Sequence, residues 1–336
     1  MTFKKKMLGS AAVGITVALA LAGCAGDSEP TSGSSGEAAQ ETLDVRFGYI
    51  GDFNGTSLLA VAEEEGFWED HGLDVEITSF TNGPLQIQAM GTGDLDYGYI
   101  GPGAMWLPAS GQAKVIAINT LGNADRVIAQ PDITELEDLE GKTIGVPEGT
   151  SGDMILTLAL ESAGLTKDDV EIVPMDATTL VSAFSSGAID AAGFWYPAIA
   201  TIKEQVPELN ELAKNSDFSD QVSFPTAFVS GTDVDEEKTS RVVAALRDAI
   251  EFRSDNLDET IELTAAKLGI DSALVEADAG NVDVLSLEDL DEMTTDGTID
   301  KWLSGMNDYF VGAGTITDPL DPAEYYLGDQ FVNAGE

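Results

Sequence analysis

The chain has 336 residues, 43% of them hydrophobic, and sets 60 Asp and Glu against 16 Lys and Arg, a formal net charge of −44. Such an acidic surface repels nucleic acid and anionic headgroups, which are bound through clustered cations. One histidine (His71) and one cysteine (Cys24) leave no material for an internal disulfide, a thiolate metal site or the common histidine-based triads.

MTFKKKMLGS opens the chain with three lysines ahead of an apolar run from Ala11 to Ala22. The run is too short to span a bilayer as a helix and has the length of a signal-peptide core. Leu-Ala-Gly-Cys then resembles the bacterial lipobox. The resemblance implies a signal peptide over 1–23, cleavage before Cys24 and lipidation of that cysteine, whose several acyl chains anchor more firmly than one. Residues 24–42 contain GDSEPTSGSSGEAAQET, which has almost nothing to bury and reads as a flexible tether.

From Leu43 onward strand and helix patterns alternate. LDVRFGYIG reads as a buried strand, and TSLLAVAEEEGFWEDHG as a helix capped by Thr56 or Ser57 and stopped near Gly66. LDVEITSF is a second strand, GPLQIQAMGTG a short helix with Pro84 in its first turn, and LDYGYIG a third strand. Helical GAMWLPASG and the strand KVIAIN follow. A second series starts after Gly122, with strands RVIAQ and KTIGVP, the amphipathic helix SGDMILTLALESAG, the strand VEIVPM, the helix TTLVSAFSSG and the strand-ending DAAGFWYP. PTAFVSG, from Pro225, reads as a strand returning to the first series, and the tail is mainly helical; no repeat of 20–50 residues occurs. Roughly 290 residues exceed the usual size of one core, so two units are expected. The alternation predicts an α/β fold with mostly parallel sheets.

Four turns end strands in small residues: GDFNG with Asp52, Phe53 and Asn54; TNGP with Asn82 and Gly83; GPG with Gly101 and Pro102; and PEGTSGD with Thr150 and Ser151. Ligands of open α/β sheets bind beyond such strand ends, where backbone N–H groups approach closely. Helix starts add free N–H groups and a positive dipole end, which suit an acceptor-rich ligand without Lys or Arg. In GTSGD, Thr150 or Ser151 is expected to cap the helix and Asp153 to bond back to the Thr150 N–H. That would leave the two hydroxyls as the better ligand contacts. Phe194, Trp195 and Tyr196 end a strand in succession, and Trp195, beside Pro197, is best placed as a pocket wall. Asp52 lies in the first turn and Asp125 beside Arg126 in the crossover, a conceivable acid–base pair, although among 60 acidic residues such a coincidence carries little weight. His71 sits in a loop, and GTSGD lacks the lysine of a P-loop.

The lipobox, GYIGDFNG, EEGFWEDHGLDVEI, GDLDYGYIGPG, LEDLEGKTIGVPEGTSGD and GAIDAAGFWYP together resemble the substrate-binding lipoproteins of ABC importers. Within them the chain is most similar to the group for taurine, aliphatic sulfonates, nitrate and thiamine-pyrimidine precursors. The resemblance implies a two-lobed type II periplasmic-binding-protein-like fold with two crossover strands as hinge. Lobe I would be 43–122 and 225–336, lobe II 123–224. It implies no cofactor and no metal, a small-molecule ligand and the permease as partners, a monomer, and a membrane contact through the lipid anchor only. LGN, with Asn123, and the Trp-x-Pro at Trp195 look closest to taurine-type members, in which the matching region borders the ligand. No basic residue falls in the four turns, which disfavours nitrate. Asp52 or Asp125 would hold the amine of a zwitterion such as taurine, or a protonated base. The alternative from another class is a pyrimidine-synthesising enzyme on the same scaffold, which uses a histidine-rich iron site.

Overall fold

The computed structural model describes residues 41–335. The expected signal segment, Cys24 and the tether up to Gln40 lie outside the described residues. The chain lays down β1 (Leu43–Ile50), β2 (Leu73–Phe80), β3 (Tyr97–Ile100) and β4 (Lys114–Gly122), with helices Phe53–Glu64 and Gly83–Thr92 between them. It then crosses at Asn123–Ala124 into a second sheet of β5 (Asp125–Ala129), β6 (Thr143–Val146), β7 (Glu171–Pro174), β8 (Ala191–Trp195) and β9 (Asn210–Lys214). A second crossing returns it to β10 (Pro225–Ser230) and, after three helices, β11 (Val282–Val284). The sheet orders are β11-β4-β10-β3-β1-β2 and β7-β6-β8-β5-β9.

Both sheets are mixed, which corrects the expectation of mostly parallel pairing. β1 runs parallel to β2 and β3, and β6 parallel to β7 and β8. Every pairing made by β10, β11, β5 or β9 is antiparallel. The cause is the two crossings. A strand that enters a sheet from its neighbour, rather than through a strand–helix–strand loop, is free to run against the others.

Aromatic packing explains why the first sheet is so apolar. Phe47 lies 5.7 Å from both the Tyr97 and the Phe228 rings and 6.1 Å from Trp68, so three strands and a helix share one aromatic centre. One cluster of buried side chains runs on through both sheets, from Val45 and Phe228 to Ile144 and Leu156 and into the tail helix Thr298–Gly312. A separate cluster around Phe184 and Phe194 covers the other face of the second sheet.

The first helix begins at Phe53, earlier than the expected cap at Thr56 or Ser57. Asp52 is extended (φ −128°, ψ 174°) and accepts the Gly55 N–H, whereas the Thr56 hydroxyl donates to the Ile50 carbonyl at 3.1 Å. A carboxylate at the strand end outcompetes a hydroxyl one turn later for the free N–H groups. Gly66, at φ 79°, ends this helical stretch as expected.

Candidate functional site

The strand-end turns of the two sheets meet in one cleft. Asp52, Asn54, Asn82, Gly83, Gly101 and Pro102 line it from the first sheet. Asp125, Thr150, Ser151 and Trp195 line it from the second. About 40 Å³ between these walls is open to a water-sized molecule, so only a molecule of a few atoms enters unless the walls part.

Each wall residue is held by its own element. Asn82 caps the helix Gly83–Thr92, its Oδ1 accepting the Leu85 N–H at 3.0 Å. The Asn54 carbonyl accepts from Asn119 Nδ2 at 2.9 Å, and its Oδ1 from the Thr120 hydroxyl at 2.7 Å. Asp125 and Trp195 face each other across the β5–β8 register, which puts both side chains on the same face. Trp195 is half-buried, its ring 4.7 Å from that of the fully buried Phe194. Thr150 does not cap its helix through its side chain; its hydroxyl donates to the Pro147 carbonyl at 2.6 Å. Asp153 accepts from the Gly149 N–H at 3.1 Å rather than the Thr150 N–H, so the expected box closes one residue earlier.

Two proposed site residues are placed elsewhere. The Phe53 ring is buried with Ile261, Ala265, Val275 and Ala279, and its N–H donates to Asp278 at 2.7 Å. Asn123 joins the crossing to its neighbours: its N–H donates to the Asn281 carbonyl at 2.8 Å, and its Oδ1 accepts the Ser216 N–H at 3.1 Å. Conversely, Tyr99 and Thr226 line the cleft although neither lies in one of the four turns. Tyr99 belongs to a strand whose four residues are all buried, and Thr226 arrives on the returning strand.

The electrostatics of the cleft are negative. Asp52 is 7% exposed, and burial, reinforced by Asp278, pushes its carboxyl well above the usual range. Burial likewise raises Asp278, to about 6. Asp125 is raised by burial too, against the pull of the Ser151 hydroxyl, the Asn215 amide (2.8 Å) and Arg126. Among the described residues, no Lys, Arg or His lines the cleft. The Arg126 guanidinium is spent on Glu211 (3.0 Å), the Asn123 and Asp125 carbonyls (2.7 and 2.8 Å) and Asn281 Oδ1 (2.9 Å). His71 pairs with Asp248 at 2.7 Å and is not among the cleft residues. Among the described residues no group of three or more His, Cys, Asp or Glu is arranged to hold a metal.

A roomier groove of about 280 Å³ lies on the far side of Thr150, lined by Trp106, Asp153, Lys167 and Tyr309. Its charged pair is internal, Asp153 with Lys167, and the Tyr309 hydroxyl is bonded to the Met154 carbonyl at 3.3 Å. The narrow cleft, with buried carboxylates and strand-end turns from both sheets, is the better candidate site.

Two mixed α/β layers joined by two crossings, with a polar cleft where they meet, define a fold of the periplasmic-binding-protein type. The chain matches the family described as NMT1/THI5 like over residues 54–259 and belongs to it. A Brucella abortus (strain 2308) protein named "putative binding protein" is 52% identical over 298 residues, 88% of this chain and 93% of its own. The taurine-binding periplasmic protein of Escherichia coli (strain K12) is 29% identical over 141 residues, 41% of this chain and 44% of its own. The alkanesulfonate-binding protein SsuA from Xanthomonas axonopodis pv. citri, bound to MOPS, superposes with a TM-score of 0.67 at 20% identity, over 86% of this chain and 99% of its own. That last likeness is one of fold.

Proposed function

We propose that this chain is the extracytoplasmic solute receptor of an ABC importer. It catches a small polar molecule, taurine or another aliphatic sulfonate in the first instance, between two lobes and presents it to the permease. The observation that carries this reading is the cleft itself, built from strand-end turns of both sheets and furnished with carboxylates, hydroxyls, amides and one aromatic wall. The names of the Brucella and Escherichia coli relatives support it. A thiamine-pyrimidine precursor fits the same cleft chemistry, whereas nitrate finds no cation there. An enzymatic role finds little support, because the chain's one histidine is engaged with Asp248 and is absent from the cleft.

The test is a thermal-shift and turnover panel of taurine, alkanesulfonates, nitrate and aminopyrimidines. One class should raise the melting temperature, by a stabilisation of about 2.7 kcal/mol at a hundredfold excess over Kd. Every compound should be recovered unchanged; turnover of any of them would favour the enzyme. Trp195→Ala should weaken the stabilising ligand by about 2 kcal/mol, roughly thirtyfold, without unfolding the protein.

Lipidation at Cys24, with residues 24–42 as tether, would hold this receptor on the outer face of the cell membrane as a monomer. Replacing Cys24 with Ser should release the protein into the medium with its ligand affinity intact. Membrane retention of that variant in cell fractionation would remove the anchor from the proposal.

A further inference from the structure

We propose that the cleft takes its ligand by a protonated nitrogen, held against Asp52 and backed by Asp278, a residue from the C-terminal helices that no turn motif marks. The proposal rests on the solute-receptor reading and names the ligand chemistry of that same site.

The start of the helix Phe53–Glu64 is where an anion would be expected, since its N–H groups and dipole point into the cleft region. The protein fills that place itself. Asp52 Oδ1 accepts the Gly55 N–H at 2.6 Å, and Asp278 Oδ2 the Phe53 N–H at 2.7 Å. The neighbouring helix Gly83–Thr92 offers little more: Asn82 takes the Leu85 N–H, and Pro84 has none. An anionic ligand therefore meets the Asp52 carboxyl, with Asp278 behind it, instead of two free donors.

A cation meets the opposite situation. Asp52 and Asp278 are 7% and 2% exposed, and the charge of Asp278 is felt both at Asp52 and at the cleft-lining Tyr99. Asp278 Oδ1 has no hydrogen-bond partner. The nearby guanidinium groups are committed elsewhere, Arg126 as described and Arg253 to Asn119. Two carboxyls this close and out of water ionise together only beside a counter-charge, and among the described residues no Lys, Arg or His lines the cleft to supply one. A small ammonium supplies it, with the Tyr99 and Trp195 rings available to its face or its carbon part. Among the described residues the ligand set for a metal is lacking, so an organic cation is the fitting occupant. Taurine qualifies through its amine; an amine-free sulfonate does not.

The groups that bear on the pair are Asp125 across the cleft and Tyr99 on the pair's own side. The helix Leu257–Leu268 packed beside Asp278 turns Thr264 and Ala265 inward and its acids Asp258, Glu259 and Glu262 outward. Because burial favours the protonated carboxyls, a cation must displace a proton to bind. Affinity should rise with pH as both raised carboxyls lose their protons, and fall as the pH drops through about 6, where Asp278 takes one up.

The experiment compares matched pairs by calorimetry: taurine against ethanesulfonate, and 2-aminoethanol against ethylene glycol, at constant ionic strength. The aminated member of a pair should bind at least tenfold more tightly, with proton release that varies with buffer ionisation. Asp52→Asn and Asp278→Asn keep the N–H acceptors and hence the fold. Each should weaken the amine at least tenfold and flatten its pH dependence. Equal or tighter binding of the amine-free partners, or unchanged amine affinity in both variants, would overturn this inference and leave the receptor reading standing. Failure of every compound, together with no small molecule released on denaturing protein purified from the cells that make it, would count against the receptor reading itself.

Discussion

Gly103→Ala is expected to weaken ligand binding by an order of magnitude or more while the protein stays folded. Gly103 lies in the single turn Pro102–Ala104 after β3, and the opposite wall is the start of the helix Ser151–Ser162. A Cβ on Gly103 would sit 2.1 Å from the Thr150 carbonyl carbon, 2.2 Å from its oxygen and 2.3 Å from the Ser151 nitrogen. These are backbone atoms, which cannot swing aside as a side-chain tip does. The two walls must separate, and the separation strains the other contacts that span them. The Trp106 indole donates to the Gly149 carbonyl at 3.3 Å, and the Tyr309 hydroxyl reaches the Met154 carbonyl. Overpacking of this kind costs about 1–3 kcal/mol. On the receptor proposal the walls part without unfolding, so the cost should fall on the ligand-closed state, roughly tenfold in Kd per 1.4 kcal/mol. Titration of the stabilising ligand into Gly103→Ala checks this; wild-type affinity would mean that this contact is not needed for capture.

The larger effect on stability is expected at Arg253. The side chain is fully buried on the helix Glu236–Asp255, and its guanidinium donates to Asn119 Oδ1 at 2.6 Å and to the Asn119 carbonyl at 3.1 Å. No carboxylate partners it, and burial pulls its pKa down to about 9. Its role is geometric. Asn119, so fixed, donates to the Asn54 carbonyl, and the Thr120 hydroxyl donates to Asn54 Oδ1 and accepts from Thr226, so one guanidinium roots the hydrogen bonds behind a cleft wall. Arg253→Ala leaves two Asn119 oxygens without a donor and a cavity where the longest buried side chain was. A loss of about 3–5 kcal/mol is expected, which lowers the melting temperature by on the order of 10 °C. A change of less than about 1 kcal/mol in thermal unfolding would show that the helix and β4 close over the gap.

The sequence made the strand ends and their turns readable because glycines and caps at strand termini are local signals. Asn82, Gly101, Thr150 and Trp195 were placed on that basis, and each reaches the cleft. Partners distant in the chain were not readable. Nothing near Asp278 distinguishes it from the other acids of an acidic tail, and its position under the Phe53 N–H exists only after two helices pack. Thr226 is hidden for the same reason, since its strand carries no turn motif. Phe53 illustrates the converse error. It sits in a site-like turn, yet its ring is drawn into the apolar cluster with Ile261 and Val275. Strand direction was equally illegible, because parallel and antiparallel strands of a buried sheet share one apolar pattern. β9, with the polar NELAK, and the three-residue β11 gave no pattern at all.

The strand order has a consequence for how the chain is made. β10 lies between β3 and β4 and is the strand that joins them into one sheet. As the chain leaves the ribosome, β1, β2 and β3 can pair, but β4 has no neighbour until residues 225–230 emerge. Roughly a hundred residues separate the end of β4 from β10, and at about 5–20 residues per second they take some 5 to 20 s to synthesise. Throughout that interval the first sheet remains open at its centre, and its long-range closure comes only after the whole second sheet has been translated. The nascent chain therefore passes most of its synthesis without a finished first core.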